Sequence, residues 1–228
     1  MNSIIQINLN RSPRAFDLLQ QNMRELNIGV AAISEPPFIS NRANRFYSSN
    51  GLAMIFHDSG LTGASPVLAF QGNNVVVVRM GENFWNLWMN WTMLLPTQRT
   101  KILICGDFNS KSKLWGSPFS DERGTTIDEW AAASDLRLLN TGSDPTCIRA
   151  QGCSIIDLTW ASPGLARYIS SWQVLDLSTL SDHVYIVVKF DNNRQVEYNQ
   201  TKKKNLQMEL EEGRLGKIPG LSPMELYE

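Results

Sequence analysis

What most constrains this chain is a series of apolar runs of strand length, several of which lead straight into Asn, Glu, Asp or His. Ile4–Asn8, Val30–Ser34, Gly51–Phe56, Asn74–Arg79, Lys101–Cys105, Ser154–Trp160, Ser171–Leu175 and Tyr185–Phe190 all read as strands. After the first, Ser12-Pro13 supplies an N-cap and a first-turn proline. Ala15, Leu18, Leu19, Met23 and Leu26 then recur at helical spacing until Gly29. Thr126-x-x-Glu129 reads as a capping box opening a short helix that carries Trp130 and Ala131. Apolar strands interleaved with helices predict an α/β layered domain, with a sheet buried on both faces.

A length of 228 residues gives room for one large domain. With 43% hydrophobic and 19% charged residues, a disordered or collagen-like chain is excluded. No apolar run approaches bilayer length, and Met1 leads into a polar, strand-like segment, so neither a membrane span nor a secretory leader is expected. Cys105, Cys147 and Cys153 are odd in number and form no C-x-x-C pair, which favours a reducing, intracellular home over a disulfide framework or structural zinc. Residues 1–190 hold 15 basic and 15 acidic side chains, an argument against a strongly basic nucleic-acid coat. The division expected is a body over 1–190 and a tail over 191–228. The tail contains Lys202-Lys203-Lys204, lacks the periodicity of a packed element and predicts a mobile extension.

The chemistry-bearing residues sit where strands end. Asn8 closes the first strand, Glu35 follows the second, and Gly106-Asp107-Phe108-Asn109 follows Lys101–Cys105. Asp157 lies within Ser154–Trp160, and Ser181-Asp182-His183 precedes the last strand, in a chain with two histidines. Acidic oxygens gathered in this way suit a hard divalent cation, and an added His and Asn suit negative charge growing on a phosphate. Singly, each has a plainer reading. Glu35 before Pro36-Pro37 fits a solvated strand end, and Asp107 with Asn109 fits a turn. Asp157 fits a buried structural pair, with His183 the preferred partner. His57 and Asp58 read as surface turn residues, Trp115 as packing ahead of a DNA-facing aromatic, and Trp85, Trp88 and Trp91 as one apolar helix face. Arg42, Arg45, Lys111 and Lys113 flank Glu35 and the D-F-N turn and form a group able to line phosphates.

Taken in order, I-N-L-N (7–10), S-E-P (34–36), G-D-F-N (106–109), I-D-L (156–158) and S-D-H (181–183) resemble the endonuclease/exonuclease/phosphatase superfamily. The likeness to the endonuclease domain of non-LTR retrotransposons is closer still. It rests on D-F-N-S-K-S-x-L-W-G-S (107–117), R-G-x-x-I-x-E-W (123–130), L-L-N-x-G (138–142), P-T (145–146) and S-I-I-D-L-T-W-A-S (154–162), and it covers residues 3–190. The resemblance implies a four-layer α/β/β/α sandwich of two mixed sheets flanked by helices. It implies an endonuclease that uses Mg²⁺, or Mn²⁺, to nick DNA by in-line attack of water, acting in the nucleus. Carried over by motif, Glu35 is the principal metal ligand assisted by Asn8, and Asp182 is a metal-side carboxylate. Asp107 positions or deprotonates the water, Asn109 holds nucleophile and phosphate, His183 bonds the scissile phosphate and Asp157 orients it. Asn10 and Ser181 support these groups, and Arg42, Arg45, Lys111, Lys113 and Trp115 complete the substrate-binding candidates. In intact relatives the resemblance places a reverse transcriptase after this domain; residues 191–228 do not read as one.

One segment departs from the family pattern. There the strand matching Asn74–Arg79 runs into a tyrosine-containing segment that reaches the scissile phosphate, and then into a helix. Here residues 80–100 contain no tyrosine, although their length admits one crossover helix. An aberrant splice, a gene-model error and a decayed copy all fit this stretch. It sets a second expectation beside the first, an impaired or inactive remnant that keeps the fold and its metal or DNA binding.

Overall fold

Strand β1 (Ser3–Asn8) shows how alternation organises the molecule. Ile5 and Ile7 join one apolar cluster, while Ile4 joins another on the opposite face, the face shared by Gln6 and Asn8. The computed structural model describes residues 3–37, 43–61, 66–80 and 101–191, together with the backbone of 86–89. After β1 come α1 (Pro13–Glu25), β2 (Val30–Ser34), β3 (Arg45–Tyr47), β4 (Ala53–His57), β5 (Pro66–Gln71), β6 (Val76–Met80), β7 (Asn86–Met89) and β8 (Ile102–Asp107). A 3₁₀ turn at Lys113–Trp115 precedes α2 (Glu122–Ala133), β9 (Arg137–Leu138), β10 (Cys147–Arg149) and β11 (Gly152–Ser154). The body closes with β12 (Asp157–Ala161), α3 (Pro163–Ala166), β13 (Ile169–Leu175) and β14 (Tyr185–Phe190).

Two six-stranded mixed sheets result, ordered β13-β14-β1-β2-β4-β3 and β5-β6-β7-β8-β12-β9, with β10-β11 as a separate hairpin. The pairs β1/β2 and β7/β8 are parallel, and the other named pairs are antiparallel. Between the sheets lie Ile4, Val30, Ala32 and Ile55 from the first and Val76, Val78, Leu103, Cys105 and Ala161 from the second. Outside the first sheet, Ala15, Phe16, Leu19 and Met23 of α1 pack on Ile5, Ile7, Ile33 and Phe56. Outside the second, Ile127, Trp130 and Ala131 of α2 pack on Ile102, Ile104, Leu158 and Trp160. This is the four-layer α/β/β/α sandwich expected.

Several local readings are corrected. In α1 the core face is completed by Phe16, whereas Leu18 is half-buried and Leu26 is an exposed C-cap residue. The N-terminus is as expected, with Ser12 Oγ accepting the Ala15 amide at 3.2 Å, a cap worth about 1 kcal/mol. Helix α2 starts five residues earlier than the Thr126 box implied. Asp121 caps it, accepting the Gly124 amide at 2.7 Å, and the Thr126 hydroxyl instead bonds back to the Glu122 carbonyl at 3.0 Å. The same Asp121 carboxylate accepts the Lys111 amide at 3.1 Å, so the cap also anchors the D-F-N loop. That competition for two amides is why Asp121 wins as N-cap.

Residues 86–89 form strand β7, seated between β6 and β8, rather than part of a helix. Trp88 therefore lies on a strand, and Trp85 and Trp91 lie outside the described residues. Ser154–Trp160 is broken: the chain leaves the hairpin at Ser154 and re-enters a sheet at Asp157. His57 is buried at the end of β4, not a surface turn residue, while Asp58 sits near Arg24 at 3.9 Å. The tail over 191–228, apart from Asp191, also falls outside the described residues.

Candidate active site

The inward rows of the strands end in polar groups at one edge of the inter-sheet seam. On β1 the row reads Ile4, Gln6, Asn8; on β2 it ends at Ser34; on β8 it reads Leu103, Cys105, Asp107; on β12 it begins at Asp157. Strict alternation would send Glu35 to the α1 side of the sheet. Its backbone takes a left-handed φ of 44°, and its carboxylate instead meets Asn8 Nδ2 at 3.3 Å. The same Nδ2 donates to Asp107 Oδ2 at 3.0 Å, so one amide couples the two carboxylates across the sheets. Asn8 is held in this orientation because its Oδ1 accepts the Asn10 amide at 2.9 Å.

Asp107 is 8% exposed and accepts two further bonds from Asn109, from its backbone amide at 2.9 Å and its side chain at 2.8 Å. Asn109 makes both by adopting a left-handed φ of 47°. Asn10, Arg11, Glu35, Asn109 and Leu180 all hold positive φ in the loops at this edge, a concentration of backbone strain typical of functional sites. Ser34 Oγ accepts the Asp107 amide at 3.1 Å, a further tie between the sheets.

Behind Asp107 lies a buried acid–imidazole pair. His183 Nδ1 and Asp157 Oδ2 are 2.8 Å apart, and His183 Nε2 faces Asp107 Oδ2 at 3.9 Å. The hydroxyl of Thr146 accepts the amides of Ile156 and Asp157, and Asn140 Nδ2 donates to the Asp157 carbonyl. His183 is held through its own amide, which donates to Ser181 Oγ, while Ser181 Oγ donates to the Asn8 carbonyl at 2.7 Å. Burial pushes the Asp157 carboxyl above its usual range, although the His183 hydrogen bond opposes this. For His183 burial acts downward, yet the hydrogen bond and charge of Asp157, with the charge of Asp107, raise the imidazole above its ordinary value. His183 Nε2 and Asp157 Oδ1 are buried without a hydrogen-bond partner among the described residues.

Asp107, Asp157 and His183 each present one ligand atom within 4.8 Å of the others, a group able to hold a metal ion. Glu35 adds a more open oxygen donor, its side chain 39% exposed, with Arg11 Nε at 4.0 Å. Of these groups Glu35 and Asp107 border a cleft of about 790 Å³, lined also by Asn8, Arg11, Asn109 and Arg123, with Asn74, Glu122 and Thr126 on its walls, while Asp157 and His183 lie buried behind it.

The structure therefore brings together Asn8, Glu35, Asp107, Asn109, Asp157, Ser181 and His183. Asn10 takes part through its backbone amide, not its side chain. The Asp182 carboxylate pairs with Arg149 at 3.4 Å and does not line the cleft. Among the described residues the expected basic group does not assemble. Arg45 stacks on Phe16 at 5.3 Å on the α1 side, Lys111 lies over Phe119 at 4.9 Å, Lys113 is exposed away from the cleft lining, and Arg42 is outside the described residues. Trp115 is buried against Trp160 and donates to the Ser110 carbonyl, so it is core. Arg11 and Arg123 take the basic places instead. Both were visible as neighbours of motifs, Arg11 directly after I-N-L-N and Arg123 heading R-G-x-x-I-x-E-W.

Two sheets meeting over an acidic, imidazole-bearing seam define a class of fold: the deoxyribonuclease-like sandwich that solved nuclease structures share. Within it the chain resembles the endonuclease domains of non-LTR retrotransposons. Residues 80–187 match the family model described as endonuclease-reverse transcriptase. The endonuclease domain of TRAS1, a telomere-specific non-LTR retrotransposon, superposes with a TM-score of 0.71 at 23% identity, covering 83% of this chain and 98% of that one. A 3′ phosphatase from Neisseria, NExo, bound to a product DNA hairpin, gives a TM-score of 0.61 at 12% identity, covering 84% of this chain and all of the other. In sequence the chain is 32% identical over 103 residues to a probable RNA-directed DNA polymerase from transposon X-element of Drosophila melanogaster. That match spans 43% of this chain and 11% of the relative. Among the described residues no helix is long and apolar enough to cross a membrane.

Proposed function

We propose that this chain is a metal-dependent phosphodiesterase that nicks DNA by hydrolysis. The observation that carries the reading is the seam itself, where Asn8, Glu35 and His183, on or beside strands of one sheet, meet Asp107 and Asp157 on strands of the other. The oxygen donors of Glu35 and Asp107, both bonded by Asn8, fit a hard cation such as Mg²⁺, with Mn²⁺ the alternative, and the cluster of Asp107 with Asp157 and His183 supports a metal at this edge. When bound, the ion supplies neutralisation of the negative charge that grows on the phosphate.

The chain's own residues supply the rest. Asp107, on the cleft floor, orients a water and takes its proton as the water oxygen bonds to phosphorus and the ester oxygen leaves. Asn109 holds Asp107 in place. Asp157 keeps the imidazole charged and turned so that Nε2 points past Asp107 towards the reacting phosphate. His183 is fully buried as the structure stands, so its contact with a phosphate follows an adjustment of the cleft floor on substrate binding. Arg11 and Arg123 on the cleft lining pair with backbone phosphates.

The reading takes residues 1–190 as the catalytic body, DNA as its partner, the nucleus as its place of action, and a reverse transcriptase as the companion activity in relatives. Conversion of supercoiled plasmid to the open circle in Mg²⁺, abolished by chelation and by Asp107→Asn, is the expected result. The tyrosine-free stretch at 80–100 favours a second reading, a remnant that binds metal or DNA without turnover. Plasmid that stays supercoiled while Mg²⁺ binds by calorimetry would establish that second reading.

A further inference from the structure

Gln6 is 1% exposed in the middle of β1, on an inward row otherwise apolar on its far side from the site. A buried amide there is costly unless its atoms are bonded, and all of its bonds cross to the opposite sheet. Nε2 donates to the carbonyls of Gly106 on β8, at 3.3 Å, and Leu158 on β12, at 3.4 Å. Oε1 accepts from the Thr159 hydroxyl at 2.9 Å. The orientation of the amide is set by chemistry. Trp172 Nε1, which can only donate, bonds Thr159 Oγ1 at 3.0 Å, so the hydroxyl proton is left to face Gln6 Oε1 and Nε2 must face the carbonyls.

Gly106 immediately precedes Asp107, and Leu158 immediately follows Asp157. These two carbonyl residues are themselves register partners across β8 and β12. Gln6 lies two residues before Asn8 on the same strand face. One side chain thus fixes the separation between the strand carrying Asn8 and both strands carrying the acids. We infer that Gln6 is a positioning residue that aligns the two halves of the site, through Gly106 and Leu158, so that Asp157 meets His183 and Asp107 meets Asn8. The inference rests on the phosphodiesterase reading for its kinetic consequence only. A misplacement of about 1 Å in such a constellation costs up to roughly a hundredfold in rate.

The test uses the full chain with Gln6→Met, which keeps length and apolar packing and removes every amide bond. The measurements are plasmid-nicking kinetics in Mg²⁺, thermal melting, and the imidazole signals of the two histidines by ¹⁵N NMR. The expected result is a cooperatively folded variant with KM within about twofold of the parent and kcat lowered about tenfold or more. The ring signals of His183 shift while those of His57 stay in place. Thr159→Val, which cuts the Oε1 side of the network together with the Trp172 bond and leaves both Nε2 bonds in place, moves the same quantities in the same direction by less, and it decides the matter should Gln6→Met fail to fold. If the unmodified chain does not nick, the functional reading fails and the His183 signals alone judge the alignment. Unmoved His183 signals overturn the inference, whether kcat stays constant or falls, because a fall without them reports only general loosening.

Discussion

Asp107 and Asp157 are direct register partners on adjacent antiparallel strands, two carboxylates on the same face of one sheet. Like charges directly opposite are destabilising, and here both are buried. The fold compensates by separating their surroundings. Asp107 is wrapped by the amides of Asn8 and Asn109, while Asp157 turns to His183. Splitting two acids in this manner leaves one facing the cleft and the other serving the imidazole.

Glu35 is the more open donor, so under the proposed function its charge is expected to dominate cation capture. Glu35→Gln retains the shape and the Asn8 contact and should abolish specific Mg²⁺ binding by calorimetry, with melting little changed. Unaltered affinity in that variant would remove Glu35 from the metal's ligands.

His183 should titrate above its ordinary value of 6.5, because the Asp157 bond and the two carboxylate charges outweigh its burial. The folded state then gains stability that is complete below pH 6.5 and is lost as pH rises through the raised value. In Asp157→Asn the hydrogen-bonded charge is gone while burial and the Asp107 charge remain, so the midpoint should fall. Imidazole NMR, with His57→Gln to assign the two signals, measures both values. A midpoint that does not drop in Asp157→Asn contradicts the cause given.

Gly124 lies within α2, where alanine ordinarily gains up to about 1 kcal/mol. A Cβ there would sit 1.9 Å from the Lys111 carbonyl oxygen, a backbone atom of the loop that leads from Asn109. Gly124→Ala should therefore destabilise, by about 1–3 kcal/mol, and lower the melting temperature by several degrees. A variant that melts higher than the parent would show that the loop gives way freely.

Thiol reagents should separate the three cysteines. Cys153 is exposed on the hairpin, whereas burial raises Cys147 and pushes Cys105, between the sheets, far above the usual thiol range. One equivalent is expected to react rapidly in the native protein and two more only in denaturant. Rapid native labelling of Cys105 would contradict the closed inter-sheet core.

Period-two alternation made much of the body readable. It located β1, β2 and β14 nearly to the residue, and the cost of burying Asp157 alone, with the motif resemblance, pointed to its pairing with His183 across 26 positions. Alternation could not reveal Glu35's left-handed backbone, because a loop conformation is imposed by the strands on either side. The helix expected across Trp85, Trp88 and Trp91 rested on spacing alone. The position between β6 and β8 demands a hydrogen-bonding partner on each edge, and β7 supplies it at residues 86–89. Asp121 prevailed over Thr126 because it answers two amides, one of them distant in sequence. Arg45 and Lys111 were placed by their neighbours along the chain, and aromatic rings drew both side chains elsewhere.

Strand β14 enters between β1 and β13, so the first strand of the body waits for the last. During synthesis the acids of β8 and β12 emerge well before His183, and the ribosome must deliver roughly the whole body before that imidazole can be seated. Such end-to-end pairing is slow to form. A chain interrupted before β14 leaves β1 with an open edge, and the timing itself leaves a half-made molecule with its buried acids but without their imidazole.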